Sequence, residues 1–106
     1  MTTITFTKSS TDSYKRVECS GHAGFAEQGS DIVCAAVSSA AYMTVNTVTD
    51  VQELSCSVTV NDGHLTMSLS KQEAEQAQVI LNGFLLHLDA LSKEYPAMIN
   101  IKISEV

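Results

Sequence analysis

The chain has 106 residues, 44% of them hydrophobic and 17% charged, with five glycines and one proline. That length suits one domain around a single core, so any active site is built on the core scaffold itself, and the composition excludes a disordered or low-complexity chain. Twelve acidic residues against six basic ones give a formal charge of −6, which disfavours direct nucleic-acid binding and favours a basic peptide or protein as partner.

Ile4 and Phe6 alternate with Thr3, Thr5 and Thr7, the period-two pattern of a half-buried strand. The polar run Ser9 to Ser13 reads as a turn, and Tyr14 to Cys19 as a second strand completing a hairpin. From Gly21 to Ser30 the periodicity is lost and three glycines occur, which predicts a mobile loop. Ile32 to about Val51 is rich in Ala and Val with almost no charge and predicts a helix buried on several sides. Its polar residues are small: Ser38, Ser39, Thr44 and Asn46.

Val58 and Val60, then Leu65, Met67 and Leu69, alternate on either side of Asn61-Asp62-Gly63-His64, a strong hairpin signal. Ser70 and Glu73 have capping-box spacing ahead of Ala74, Ala77, Leu81, Phe84, Leu88 and Leu91, which recur at helical intervals up to Tyr95-Pro96. Ile99, Ile101 and Ile103 give a fifth strand. The order β-β-α-β-β-α-β predicts an α+β two-layer sandwich, an antiparallel or mixed sheet with both helices on one face. The repeated ββα hints at a loose internal duplication.

No run of about 18 or more uncharged apolar residues appears, and Met1 to Thr5 lacks a charged segment followed by an apolar one, so neither a membrane partner nor export is expected. An odd set of cysteines at 19, 34 and 56 makes no disulfide framework and suits a reducing, cytoplasmic compartment.

The chemistry concentrates where the second strand ends and the first helix opens. With Ser30 or Asp31 as N-cap, Cys34 falls in the first helical turn, where unpaired backbone N–H groups favour a thiolate. His22 is the nearest candidate base, able to take the thiol proton and return one to a leaving amine. On chemistry alone three readings stay open. Cys34 and His22 form a nucleophilic pair, Cys34 is a small buried apolar residue, or Cys19-x-x-His22 with Cys34 and either Cys56 or His64 holds zinc. The second half has no paired Cys-x-x-Cys or His-x-x-x-His spacing, so no metal or other cofactor is expected. His64 reads as an exposed hairpin residue, His87 as an interface or partly buried one, and Glu73 and Glu75 as a solvated first turn. Phe84, Leu85, Leu86 and Leu88 offer more apolar surface than one helical stripe needs, which suits a dimer contact or a deeper core.

The segments Gly21-His22-Ala23 and Gly29-Ser30-Asp31-Ile32-Val33-Cys34-Ala35-Ala36-Val37-Ser38 resemble the signature of the ribosomal-processing cysteine protease family called Prp, and length and element order agree over essentially the whole chain. The resemblance implies a homodimeric endopeptidase that trims the N-terminal extension of bacterial large-subunit ribosomal protein L-twenty-seven, a basic substrate, cutting after an aromatic residue in a short hydrophobic motif. It implies His22 as catalytic histidine and Cys34 as catalytic cysteine. Gly21, Asp31 and Ser38 fill other motif positions and are assigned supporting roles: backbone freedom beside His22, helix capping or orientation of the base, and a polar contact one turn beyond Cys34. Gly24 and Gly29 would let the intervening loop close over substrate. A non-catalytic assembly factor that binds a basic ribosomal protein is the alternative.

Overall fold

The computed structural model describes residues 1–21, 30–61 and 63–105, and the side chains of Ser30 and Asp31 fall outside it. Five strands, β1 (Thr2–Lys8), β2 (Tyr14–Ser20), β3 (Cys56–Asn61), β4 (His64–Leu69) and β5 (Ile99–Glu105), form one sheet in the order β3-β4-β2-β1-β5. β1 pairs antiparallel with β2, β2 with β4, and β4 with β3, while β5 runs parallel to β1. The sheet is therefore mixed.

Alternation sets the two faces. Ile4, Phe6, Val17, Cys19, Leu65, Met67, Leu69 and Ile99 are buried on one of them. Registers such as Ile4 opposite Cys19 and Val17 opposite Met67 keep these side chains together. Thr3, Thr5, Arg16, Glu18, Thr66 and Ser68 take the other face by the same period of two. The helices cover only the apolar face. The first, α1 (Ser30–Asn46), packs beside the last, α3 (Gln78–Glu94). Phe6 lies between the rings of Tyr14 and Phe84, at centroid distances of 5.4 and 5.7 Å. Each such fully buried apolar side chain contributes roughly 1.5–3 kcal/mol of burial free energy.

The helical segments depart from the sequence reading in three places. α1 is already helical at Ser30, so Ser30 and Asp31 are helical residues rather than N-caps, and Cys34 lies beyond the first turn. Its last turn widens into a π-helical turn over Thr47–Val51, with Gln52 N–H donating to Thr47 C=O at 2.8 Å. The hydroxyls of Thr44, Thr47 and Thr49 each donate to the carbonyl four residues back and compete there with the backbone ladder. The second predicted helix is two, α2 (Lys71–Gln76) and α3, separated at Ala77. The Ala74 carbonyl there receives both the Ala77 N–H, at 3.1 Å, and the Gln78 side-chain amide, at 2.6 Å. The same Gln78 amide group accepts from Tyr14 N–H and donates to Tyr14 C=O, at 3.0 and 2.9 Å, tying α3 to the start of β2.

Ser70 caps α2 as the spacing predicts, and the Glu73 carboxylate returns to its hydroxyl. Ser70 Oγ accepts from Glu73 N–H, and the two side chains bond at 2.8 Å. Glu73 also accepts from Ser55 N–H at 2.9 Å, so it is a structural tie rather than a merely solvated charge. Ile32–Val51 reaches a mean hydropathy of 1.4 over a membrane-spanning length, which the sequence reading did not anticipate. Val33, Val37, Ala41 and Val48 of that segment belong to the buried core.

Candidate active site

Three chain segments converge at one end of the sheet: the start of β1, the end of β2 and the N-terminal half of α1. β2 leads into Gly21, which takes a φ of +86° and donates its N–H to Gly63 C=O at 2.9 Å. A Cβ on Gly21 would lie 2.5 Å from the Met1 carbonyl oxygen and 3.7 Å from Thr2 Cα. Both the left-handed backbone and the close approach demand glycine.

Cys34 also lies against Thr2. The Thr2 hydroxyl and the Cys34 sulfur are 3.8 Å apart, Thr2 being 2% exposed and Cys34 half-buried. Thr2 therefore packs near both Gly21, the residue before His22, and the candidate nucleophile. His22, Gly24, Gly29 and the predicted mobile loop lie outside the described residues, as does the Asp31 side chain. Ser38 sits one turn beyond Cys34 on α1 and is half-buried.

The other two thiols are held away from the ionised form. Burial, reinforced by the Glu18 charge, pushes the Cys19 thiol up to about 12. Burial, with Glu73 adding to it, also raises Cys56. A thiolate is the reactive species, so these environments suit inert cysteines.

His64 is half-buried rather than simply exposed. Its Nε2 lies 2.9 Å from Glu18 Oε2 and 3.1 Å from Thr66 Oγ1. Register places His64 opposite Ser20 on the polar face, whereas Cys19, opposite Leu65, points into the core. The zinc set drawn through Cys19 and His64 would need side chains from both faces of one sheet. Among the described residues no three His, Cys, Asp or Glu side chains gather into a metal-binding group. His87 is exposed, on the rim of a groove of about 580 Å³ between α1 and α3 that Ala40, Met43, Ile80 and Phe84 also line. Leu86 is 72% exposed and does not deepen the core, while Leu88 does.

Thr2 is the residue that the sequence reading missed. A signal was available: extending the Ile4 and Phe6 parity back by two puts Thr2 on the buried face, where a polar side chain needs a partner.

A mixed five-stranded sheet covered on one face by helices, one of which carries a free, half-buried cysteine, defines the class, a small α+β domain. Comparison with known proteins narrows it. Residues 1–100 match the sequence model of the family described as cysteine protease Prp. The chain belongs to this family of cysteine proteases. It is 30% identical to the ribosomal processing cysteine protease Prp of Bacillus subtilis over 84 residues, covering 74% of this chain and 75% of the relative. Its fold matches the crystal structure of an essential ribosomal processing protease Prp from S. aureus with a substrate peptide, at a TM-score of 0.85 and 27% identity, over 100% of both chains. The same S. aureus protease with a covalently linked product peptide matches at 0.85 over 98% of this chain and 100% of that one, again at 27% identity.

Proposed function

We propose that this protease removes the N-terminal extension of bacterial large-subunit ribosomal protein L-twenty-seven, with Cys34 as nucleophile and His22 as proton acceptor. The observation that carries the choice of nucleophile is the contrast among the three thiols. Cys19 and Cys56 are both pushed toward the protonated form, while Cys34 is the half-buried thiol on α1, its sulfur 3.8 Å from the hydroxyl of Thr2, the residue that packs near Gly21. Substrate and product peptides bound to the S. aureus protease support a peptide substrate for this chain. A formal charge of −6 favours a basic one.

His22 takes the Cys34 proton, and the thiolate attacks the scissile carbonyl carbon. Backbone N–H groups of the first turn of α1 are the natural donors to the oxyanion. Collapse of the tetrahedral species breaks the C–N bond, and the amine leaves with the proton from His22. Water then attacks the thioester, releases the carboxylate and restores the thiol. Asp31 and Ser38 support the base and the nucleophile, and the loop carrying Gly24 and Gly29 closes over bound peptide. The enzyme works as a homodimer in the cytoplasm, a compartment that suits its free cysteines.

Incubating the purified protein with an extended substrate tests the assignment. Cleavage that disappears in Cys34→Ala and in His22→Ala is the expected result. Cleavage that persists in Cys34→Ala removes Cys34 as nucleophile, and binding without cleavage by the native chain removes the substrate.

A further inference from the structure

We infer that Thr2 is a positioning residue for Cys34, its hydroxyl holding the sulfur through the direct Oγ1 to Sγ contact. The inference extends the reading of Cys34 as nucleophile, but the contact stands whatever the substrate. Thr2 is 2% exposed, and among the described residues its hydroxyl's partner is the Cys34 sulfur, at 3.8 Å. A buried hydroxyl without a partner is costly, and no buried side-chain oxygen or nitrogen among the described residues is left unpaired.

The strand position argues the same way. The next two residues on the same face of β1, Ile4 and Phe6, are apolar and fully buried. Valine has nearly the shape of threonine and would satisfy packing alone, so packing does not account for an oxygen at this place. Nor does the backbone leave Thr2 free to turn away. Its N–H donates to Met98 C=O at 2.9 Å, and it is paired with Ile99 of β5. Neighbouring Thr3 is paired with Ser20 of β2. Strands on both sides thus fix the face onto which the side chain projects.

Either atom can donate in the resting enzyme, S–H to Oγ1 or O–H to Sγ. Once the thiol proton has passed to the base, only the hydroxyl carries a hydrogen, and it donates to the negative sulfur while keeping its proton. A hydrogen bond to a charged acceptor is stronger than one to a neutral acceptor, so the contact favours the state that attacks. It also restrains the Cys34 rotamer against the strand.

Alkylation by iodoacetamide, followed by mass spectrometry of the peptide containing each cysteine, reads this contact without any peptide substrate. Cys56 lies elsewhere in the fold and serves as the internal reference. Near neutral pH, Thr2→Val slows Cys34 about three- to tenfold relative to Cys56, Thr2→Ser restores the native ratio, and the difference disappears in strongly alkaline buffer. Thr2→Ala, a second variant without the hydroxyl, gives the same ratio as Thr2→Val and keeps the test open if the valine variant does not fold. An unchanged Cys34 ratio in the hydroxyl-free variants overturns the inference. So does a difference that persists in alkaline buffer, which would mean altered access. If Thr2→Val slows alkylation while Cys34→Ala still cleaves substrate, the contact is real and the nucleophile assignment is the part that fails.

Discussion

Replacing Gly21 with alanine tests the geometry at the end of β2 most directly. Two costs add. A side chain at a φ of +86° sits in the left-handed region, which costs an ordinary L-residue roughly 1–2 kcal/mol. The new Cβ would also lie 2.5 Å from the Met1 carbonyl oxygen, and moving one backbone segment off another costs roughly 1–3 kcal/mol more. The sum of about 2–5 kcal/mol lowers the melting temperature of a domain this size by at least about 8 °C. Circular dichroism melts of the native chain and Gly21→Ala measure it. A second readout separates stability from chemistry. The Gly21 N–H bond to Gly63 and the contact with residues 1 and 2 both lie next to His22 in the chain, so relaxation of the clash moves the proposed base. Peptide cleavage well below both melting temperatures should fall by about tenfold or more, since sub-ångström misplacement of a catalytic group is expensive. A melting temperature within about 2 °C of the native value would refute the clash argument.

Other outcomes follow from the same contacts. Gln78→Ala removes three hydrogen bonds and leaves the Tyr14 N–H and C=O to find water. Urea denaturation should show a loss of about 2–3 kcal/mol, and a loss under about 0.5 kcal/mol would mean that solvent replaces the amide freely. Cys19 gives a pH signature. Its folded-state value of about 12 lies above the ordinary 9.0, so its contribution to stability is whole below the ordinary value. It shrinks as pH climbs toward the folded one, because the unfolded chain loses the proton first. The urea midpoint should fall with rising pH across that window and fall less in Cys19→Ala; identical slopes would show that Cys19 is not the group responsible.

The strands were legible because alternation needs only neighbours: Ile4 with Phe6, Val17 with Cys19, and Leu65 with Met67 each declare a face. Gly63 and the Ser70–Glu73 pair carry their turn and cap chemistry within four residues. The breaks in the helices were not legible. The split at Ala77 arises because the Gln78 side chain reaches both Ala74 C=O and the backbone of Tyr14, a residue 64 positions away. The π-helical turn follows three threonine hydroxyls acting on the carbonyls of Ala40, Met43 and Val45, each of which looks harmless alone. The parallel pairing of β5 with β1 leaves no local mark either, since a strand's own alternation does not name its partner. At the site, the resemblance to the Prp signature pointed to Cys34 and Gly21, while Thr2 lies far from both in sequence and is unremarkable among its neighbouring threonines.

The parallel pairing of β1 with β5 sets an order of events during synthesis. The first strand leaves the ribosome early and can fold back on β2 as a hairpin, but its other edge has no partner until Ile99–Glu105 emerges at the far end of the chain. Such a long loop closure is slow compared with making a hairpin. Until it happens, the bond from Thr2 N–H to Met98 is missing, and the hydroxyl beside Cys34 has only one strand to hold it. A nascent chain therefore carries its cysteine and histidine long before it carries a finished site, and Met98 and Ile99 must emerge before Thr2 is locked in place.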